Sequence, residues 1–172
     1  MLLRIHDKYN VNNINCPGFI VNLDDLKYCS NLNELMVNNL NGSFESIKAL
    51  PITKLDGRVK QSNNISSLSA LTSLTHLALR ETNVSGDISS ISGLTNLTNI
   101  TFEHNQIQGN VSSLSGLTKL TSININYTQV TGDISSLTSL TNLTSLMAVN
   151  CSISGDISSF GALTNFTYFN CP

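Results

Sequence analysis

The sequence predicts an α/β repeat protein, mostly β, wound as a solenoid. A parallel sheet is expected on its concave face and short turns or second strands on its convex side. Three observations carry that expectation. Gly86, Gly109, Gly132 and Gly155 recur every twenty-three residues. The apolar residues around each glycine keep the same offsets from coil to coil. Within each coil a short stretch such as Ile100-Thr101-Phe102 alternates apolar and polar, the period of a strand with one buried face.

Residues 1–64 read as irregular N-terminal repeats or a cap. Ile14 and Cys16 fit a first strand, and residues 24–31 a short helical turn. Leu32, Leu35, Val37, Leu40, Gly42, Phe44, Ile47 and Leu50 fit a degenerate coil. Ile52, Leu55 and Gly57 fit another, interrupted by Lys54, Arg58 and Lys60. This third of the chain is expected either to seal the open end of a solenoid core or to serve as an attachment region.

Residues 65–172 read as regular repeats continuing the same solenoid domain. One coil runs Leu94, Leu97, Ile100, Phe102, Asn105, Ile107, Gly109, Val111 and Leu114, and the next repeats those offsets from Leu117 to Leu137. Burying a large aliphatic side chain contributes about 1.5–3 kcal/mol, and a single coil can bury its set only against neighbouring coils. The offset of Asn105 holds Thr82, Thr128 and Cys151 in the other coils, small side chains suited to a tight turn beside the adjacent coil's backbone. Gly86, after Val84-Ser85, permits a bend that a Cβ hinders. The pairs Ser89-Ser90 and Ser112-Ser113 are expected to cap a short helical turn. The final coil substitutes aromatics, Phe160, Phe166, Tyr168 and Phe169. They are expected either to plug the core or to leave an edge open for association.

The frame matches L-x-x-L-x-L-x-x-N, and it resembles the leucine-rich repeat, whose period falls at about 20–29 residues. The stretches Asp87-Ile88-Ser89-Ser90-Ile91-Ser92-Gly93-Leu94-Thr95-Asn96-Leu97-Thr98 and Leu140-Thr141-Asn142-Leu143-Thr144 resemble bacterial repeats of the internalin type. One extra residue per coil, the glycine before the aspartate, departs from that type. It is similar instead to the L-x-G-x-I segment of plant-type repeats, which implies a second strand behind the first. Ser/Thr-rich arrays of this kind occur in gut bacteria and their phages, the origin this resemblance implies. A fold match of this sort specifies architecture and leaves function to the side chains displayed on it.

Composition narrows the function classes. Charged residues make up 12% of the chain and the net charge is −2, without a basic run, so no nucleic-acid partner is expected. No apolar run has the length of a membrane span. The leading residues 1–7 lack a signal peptide's apolar core, so the chain is expected to be virion or cytoplasmic, or a mature extracellular fragment. The uncharged Ser/Thr/Asn surface favours an adhesive surface or virion role.

No nucleophile motif, phosphate loop or metal-ligand spacing is present, so a non-enzymatic protein without cofactor or metal is expected. Asp87, Asn110, Asp133 and Asp156 form a column at coil spacing. Asn110 interrupts any run of carboxylates, and each member is expected to bind its own turn's backbone rather than a cation. Binding residues are expected where the frame is constant but the outward strand positions vary. Those candidates are Arg80, Glu103, His104, Asn126, Tyr127 and Met147, displayed on the concave face towards a protein or glycan. A staple between Cys151 and Cys171 and two separate thiols both fit the spacing.

Overall fold

The computed structural model describes residues 11–16 and 18–171, so residues 1–7, read above for a signal sequence, lie outside the described part. The strands are β1 (Asn13–Asn15), β2 (Ile20–Asn22), β3 (Glu34–Asn41), β4 (Lys54–Val59), β5 (Asn63–Asn64), β6 (His76–Leu79) and β7 (Val84–Asp87). They continue with β8 (Asn99–Thr101), β9 (Gln106–Asn110), β10 (Ser122–Asn124), β11 (Gln129–Asp133), β12 (Ser145–Met147), β13 (Ser152–Ser154) and β14 (Tyr168–Asn170). One long parallel sheet runs β1-β3-β4-β6-β8-β10-β12-β14, with β2 also paired to β3. A second parallel sheet runs β13-β11-β9-β7-β5. The chain is the solenoid the repeat implied, with a strand at the front of each coil and, from β5 onward, a second strand behind it.

The front third joins the long sheet directly. Asn13 pairs with Glu34, Glu34 with Lys54, and Lys54 with His76. Its coils differ mainly in length. The step between equivalent residues is 21, then 20, then 22, and settles at 23 from His76 onward. The charges that interrupt the sequence pattern of β4 alternate with its buried residues. Leu55, Gly57 and Val59 are inside, while Lys54, Asp56 and Arg58 look outward.

Behind each strand pair lies a short 3-10 turn, including Ile65–Leu68, Ile88–Ile91, Val111–Leu114 and Ile134–Leu137. The serine pairs do not cap these turns. The preceding residue does: Asp87 Oδ1 accepts from the Ser89 amide at 2.8 Å and Asn110 Oδ1 from the Ser112 amide at 2.9 Å. An Asp or Asn side chain two bonds from its own backbone reaches the orphan amide two residues on, while the following serines already lie inside the turn. Asn64 caps the turn before, and Asn22 and Ser43 carry the same role into the front third. The aspartate column is therefore a column of caps, and the Asp87, Asp133 and Asp156 carboxyls are held below the usual range by those amides.

The glycine column is dictated by the same device. Gly109 and Gly132 sit at φ 103° and 110°, a region in which a Cβ is strained. A Cβ on Gly109 would press on the Asp87 cap carboxylate, and one on Gly132 on the Asn110 cap amide.

One continuous apolar core runs from Ile14 to Leu163. Two polar columns join the coils. Thr75, Thr98, Thr121 and Thr144 each donate a hydroxyl to the carbonyl of the equivalent residue one coil back, at 2.8–3.0 Å. At the tight turn, Asn105 is buried and its Nδ2 donates to the Leu79 carbonyl at 2.6 Å. The Thr82 hydroxyl meets Asn105 Oδ1, and the Cys151 thiol reaches the Ile125 carbonyl at 2.7 Å. Small polar residues recur here because they pair polar groups that the turn would otherwise leave buried and unpaired, carbonyls by Asn105, Thr128 and Cys151 and the Val84 amide by Thr82.

Phe160 in the last coil is buried and meets Phe166 edge-on at 4.9 Å. Tyr168 and Phe169 remain exposed on β14. Cys151 and Cys171 are separate thiols.

Candidate functional site

The long sheet displays its outward side chains in rows one coil apart. Register puts His76, Asn99, Ser122, Ser145 and Tyr168 in one row, and Asp56, Ala78, Thr101, Asn124, Met147 and Asn170 in the next. Beyond them lie Arg80, Glu103, Asn126 and Val149, then Glu81, His104, Tyr127 and Asn150.

That last row has an unusual backbone. Glu81, His104, Tyr127 and Asn150 all adopt the left-handed conformation, with φ between 51° and 55°. The position ends the strand and turns the chain towards the second sheet. Asn and His are the better suited of the four to this conformation; Glu and Tyr adopt it against a larger steric cost. The His104 and Tyr127 rings stack with centroids 4.1 Å apart and planes 9° from parallel. Tyr127 is 42% exposed, one of the larger apolar surfaces the chain shows to solvent.

The candidate residues divide by what already holds them. Arg80 is half-buried and its Nη1 lies 3.2 Å from Asp56 Oδ1 in the preceding coil. Asn126 is nearly buried, and its Oδ1 accepts from the Val149 amide at 2.8 Å. Met147 lies half-exposed on β12 beside Asn124 and Asn170. His104 and Tyr127 form the ring stack. The Glu103 carboxylate has neither an ion pair nor a hydrogen bond among the described residues.

A charged group on the N-terminal half of the face escaped the sequence reading. Asp56 sits between His76 Nε2, at 3.9 Å, and Arg80. The imidazole beside it and then the guanidinium hold its carboxyl below the usual range, against partial burial. At 3.9 Å the His76 contact is longer than a made hydrogen bond. Asp56, Arg58 and Arg80, with Asn38 and Gly57, line a hollow of about 140 Å³. Lys54 pairs with Glu34 at 2.8 Å, and Arg58 with Glu81 at 3.2 Å. The only signal available for these pairs was the alternation of β4, which the shorter coils of the front third obscured.

A second hollow, of about 650 Å³, lies at the C-terminal coil between Ile134, Ile153, Ile157, Phe169 and Cys171. Among the described residues no cluster of three or more His, Cys, Asp or Glu could hold a metal ion, and no helix is long and apolar enough to cross a membrane.

No protein-family model matches the chain, and no curated protein is similar to it in sequence. Solved structures are. Internalin C2 from Listeria monocytogenes superposes with a TM-score of 0.69 at 27% identity, over 91% of this chain and 70% of that one. The plant peptide hormone receptor RGFR1, in complex with RGF2, gives 0.74 at 24% identity over 88% of this chain. A leucine-rich-repeat protein of Leptospira interrogans gives 0.66 at 16% identity, over 87% of this chain and 39% of that one. This chain spans 26% of the plant receptor chain it matches. The fold is a leucine-rich-repeat solenoid.

Proposed function

We propose that the chain is a non-enzymatic, macromolecule-binding leucine-rich-repeat module that engages a protein, or secondarily a glycan, through the outward face of the long sheet. The observation that carries this reading is the row of Glu81, His104, Tyr127 and Asn150. The frame beneath it repeats, while Glu81 and Tyr127 hold costly side chains in a conformation that Asn or Gly would fill with less strain. A strained, exposed, pre-stacked aromatic pair is a rigid anchor for a partner. Arg80, Glu103 and Met147 flank it, and Asn126 fixes the backbone beneath it. Similarity to a receptor solved with a peptide and to an internalin supports a protein ligand over a glycan. We place the module on a surface or virion, mediating adhesion or protein–protein contact, with the C-terminal coil as a second point of association.

The test replaces Met147 with a photo-crosslinking residue, and Gln108 on the second sheet in a parallel variant. A discrete adduct from the Met147 position alone, abolished by Tyr127→Asn, supports the reading. Equal labelling from both positions, or none from Met147, contradicts it. An adduct confined to cytosolic fractions would favour an intracellular scaffold over an adhesin. Full function after exchange of two internal coils would favour a structural, decorating role in a larger assembly.

A further inference from the structure

Four carboxylates stand on the outward face of the long sheet among the described residues: Glu34, Asp56, Glu81 and Glu103. Three are matched by a cation of the chain itself. Lys54 takes Glu34, Arg80 takes Asp56 and Arg58 takes Glu81. Glu103 is left over, because Arg80, its neighbour one coil back, is turned the other way towards Asp56. Its other row neighbour, Asn126, accepts from the Val149 amide through Oδ1 and makes no hydrogen bond to the Glu103 carboxylate among the described residues. The unmatched charge is next in sequence to His104, whose ring stacks on the exposed Tyr127.

We infer that Glu103, His104 and Tyr127 form a site for a basic side chain, an arginine or lysine carried on an exposed segment of a protein partner. The inference rests on the binding function proposed above and names the partner's chemistry. A carboxylate without a counter-ion beside an aromatic surface complements a cation on an apolar stem. The charge pairs with Glu103, while the guanidinium plane or the methylenes lie against the ring. The guanidinium groups of the two preceding coils, Arg80 and Arg58, are already paired with Asp56 and Glu81, which favours this occupant over an acidic or neutral one. The left-handed backbone at residues 104 and 127 fixes where the rings stand, so little order is lost when the partner arrives.

The site is tested with three probes, acetyl-Gly-Ser-X-Ser-Gly-amide with X as Arg, Gln or Glu, titrated into the full chain while its aromatic NMR signals are followed. The Arg peptide is expected to shift the His104 and Tyr127 ring signals saturably and the Gln and Glu peptides not to. Glu103→Gln is expected to weaken the Arg peptide about tenfold, as loss of a charge-assisted contact does. Tyr127→Asn, which puts at residue 127 the residue type found at Asn150, is expected to abolish the shifts while the chain stays folded.

Equal binding of the Gln peptide, an unchanged affinity in Glu103→Gln, or no saturable shift up to about 10 mM each overturns the inference. So does saturation of the rings by a neutral oligosaccharide, xylohexaose, with no dependence on Glu103. The two proposals fail separately. A crosslinked partner at Met147 whose basic residues can all be neutralised without loss removes this inference and leaves the binding module standing.

Discussion

The front third and the regular coils solve the same problem with different chemistry. Both must join one coil to the next and pair the carbonyls left at each turn. In the regular coils a buried polar column does this, with Asn105, Thr128 and Cys151 reaching carbonyls around the turn. At the corresponding offset the front third has Leu40, fully buried. Its bridge comes instead from Asn63, which accepts from the Phe44 amide at 2.9 Å and donates to the Gly42 carbonyl at 3.1 Å. The face differs as well. Ion pairs between coils cover its N-terminal part, while aromatic and amide side chains cover the middle. Coil length is thus the flexible quantity. What is held constant is a buried strand residue, a cap at the 3-10 turn and some polar group spanning the turn.

The largest expected effects test that exchange of chemistries. Asn105→Leu leaves the Leu79 carbonyl and the Thr82 hydroxyl without their partner and is expected to cost about 3 kcal/mol. For a domain of this size that lowers Tm by roughly 6–12 °C. Leu40→Ala is expected to cost a comparable ~3 kcal/mol for another reason, lost packing around a cavity. Leu40→Asn should be worse than Leu40→Ala, because it places a polar amide inside the apolar core as well as removing packing. Denaturant melts of the three variants decide the matter, and a stable Leu40→Asn would remove the distinction between the regions.

Gly132→Ala is expected to come next, at about 2 kcal/mol, from a strained φ and from pressure on the Asn110 cap. Thermal melts should show the loss relieved in part when Asn110 is shortened to Ser.

The acid limb distinguishes the regions by the groups that titrate. Asp56, Asp87, Asp133 and Asp156 all have lowered folded-state pKa values, so each stabilises the fold above the unfolded carboxylate pKa. That contribution is lost as pH falls through the folded value. Melting temperature is therefore expected to drop between about pH 5 and pH 2. Asp87→Asn, Asp133→Asn and Asp156→Asn together should flatten that drop while keeping the caps, as Asn110 does natively. An unchanged acid limb would put the sensitivity elsewhere.

The smallest effect is electrostatic. Arg80→Gln breaks a half-exposed pair and is expected to cost within about 1 kcal/mol. Added salt should reduce the difference from the parent, whereas the losses at Asn105 and Leu40 should persist.

The solenoid could be read in the sequence because its apolar columns and glycines keep one period. The roles within each coil were less legible. The column of Asp87, Asn110, Asp133 and Asp156 was expected to bind its own turn's backbone and does, but aspartate and serine both cap turns, and only geometry shows that the serines after them do not. The threonine ladder was hidden by the abundance of threonine around it. On the face, the row of Glu81, His104, Tyr127 and Asn150 was visible as an alignment. Its left-handed backbone was not, since Glu and Tyr seldom signal that conformation. Asp56 was missed because coils of 20 and 22 residues displace it from the register that aligned the rest.

The central claim is that both regions form one stacked unit, built by different contacts on one plan. Native-state hydrogen exchange measures this at single amides. The backbone amides of Leu35 and Leu55 in the front third are predicted to exchange through the same opening as those of Ile100 and Ile123. Denaturant sensitivity and protection should then be shared along the long sheet. Exchange of Leu35 and Leu55 through a separate, lower-energy opening, with Ile100 and Ile123 still protected, would contradict the claim.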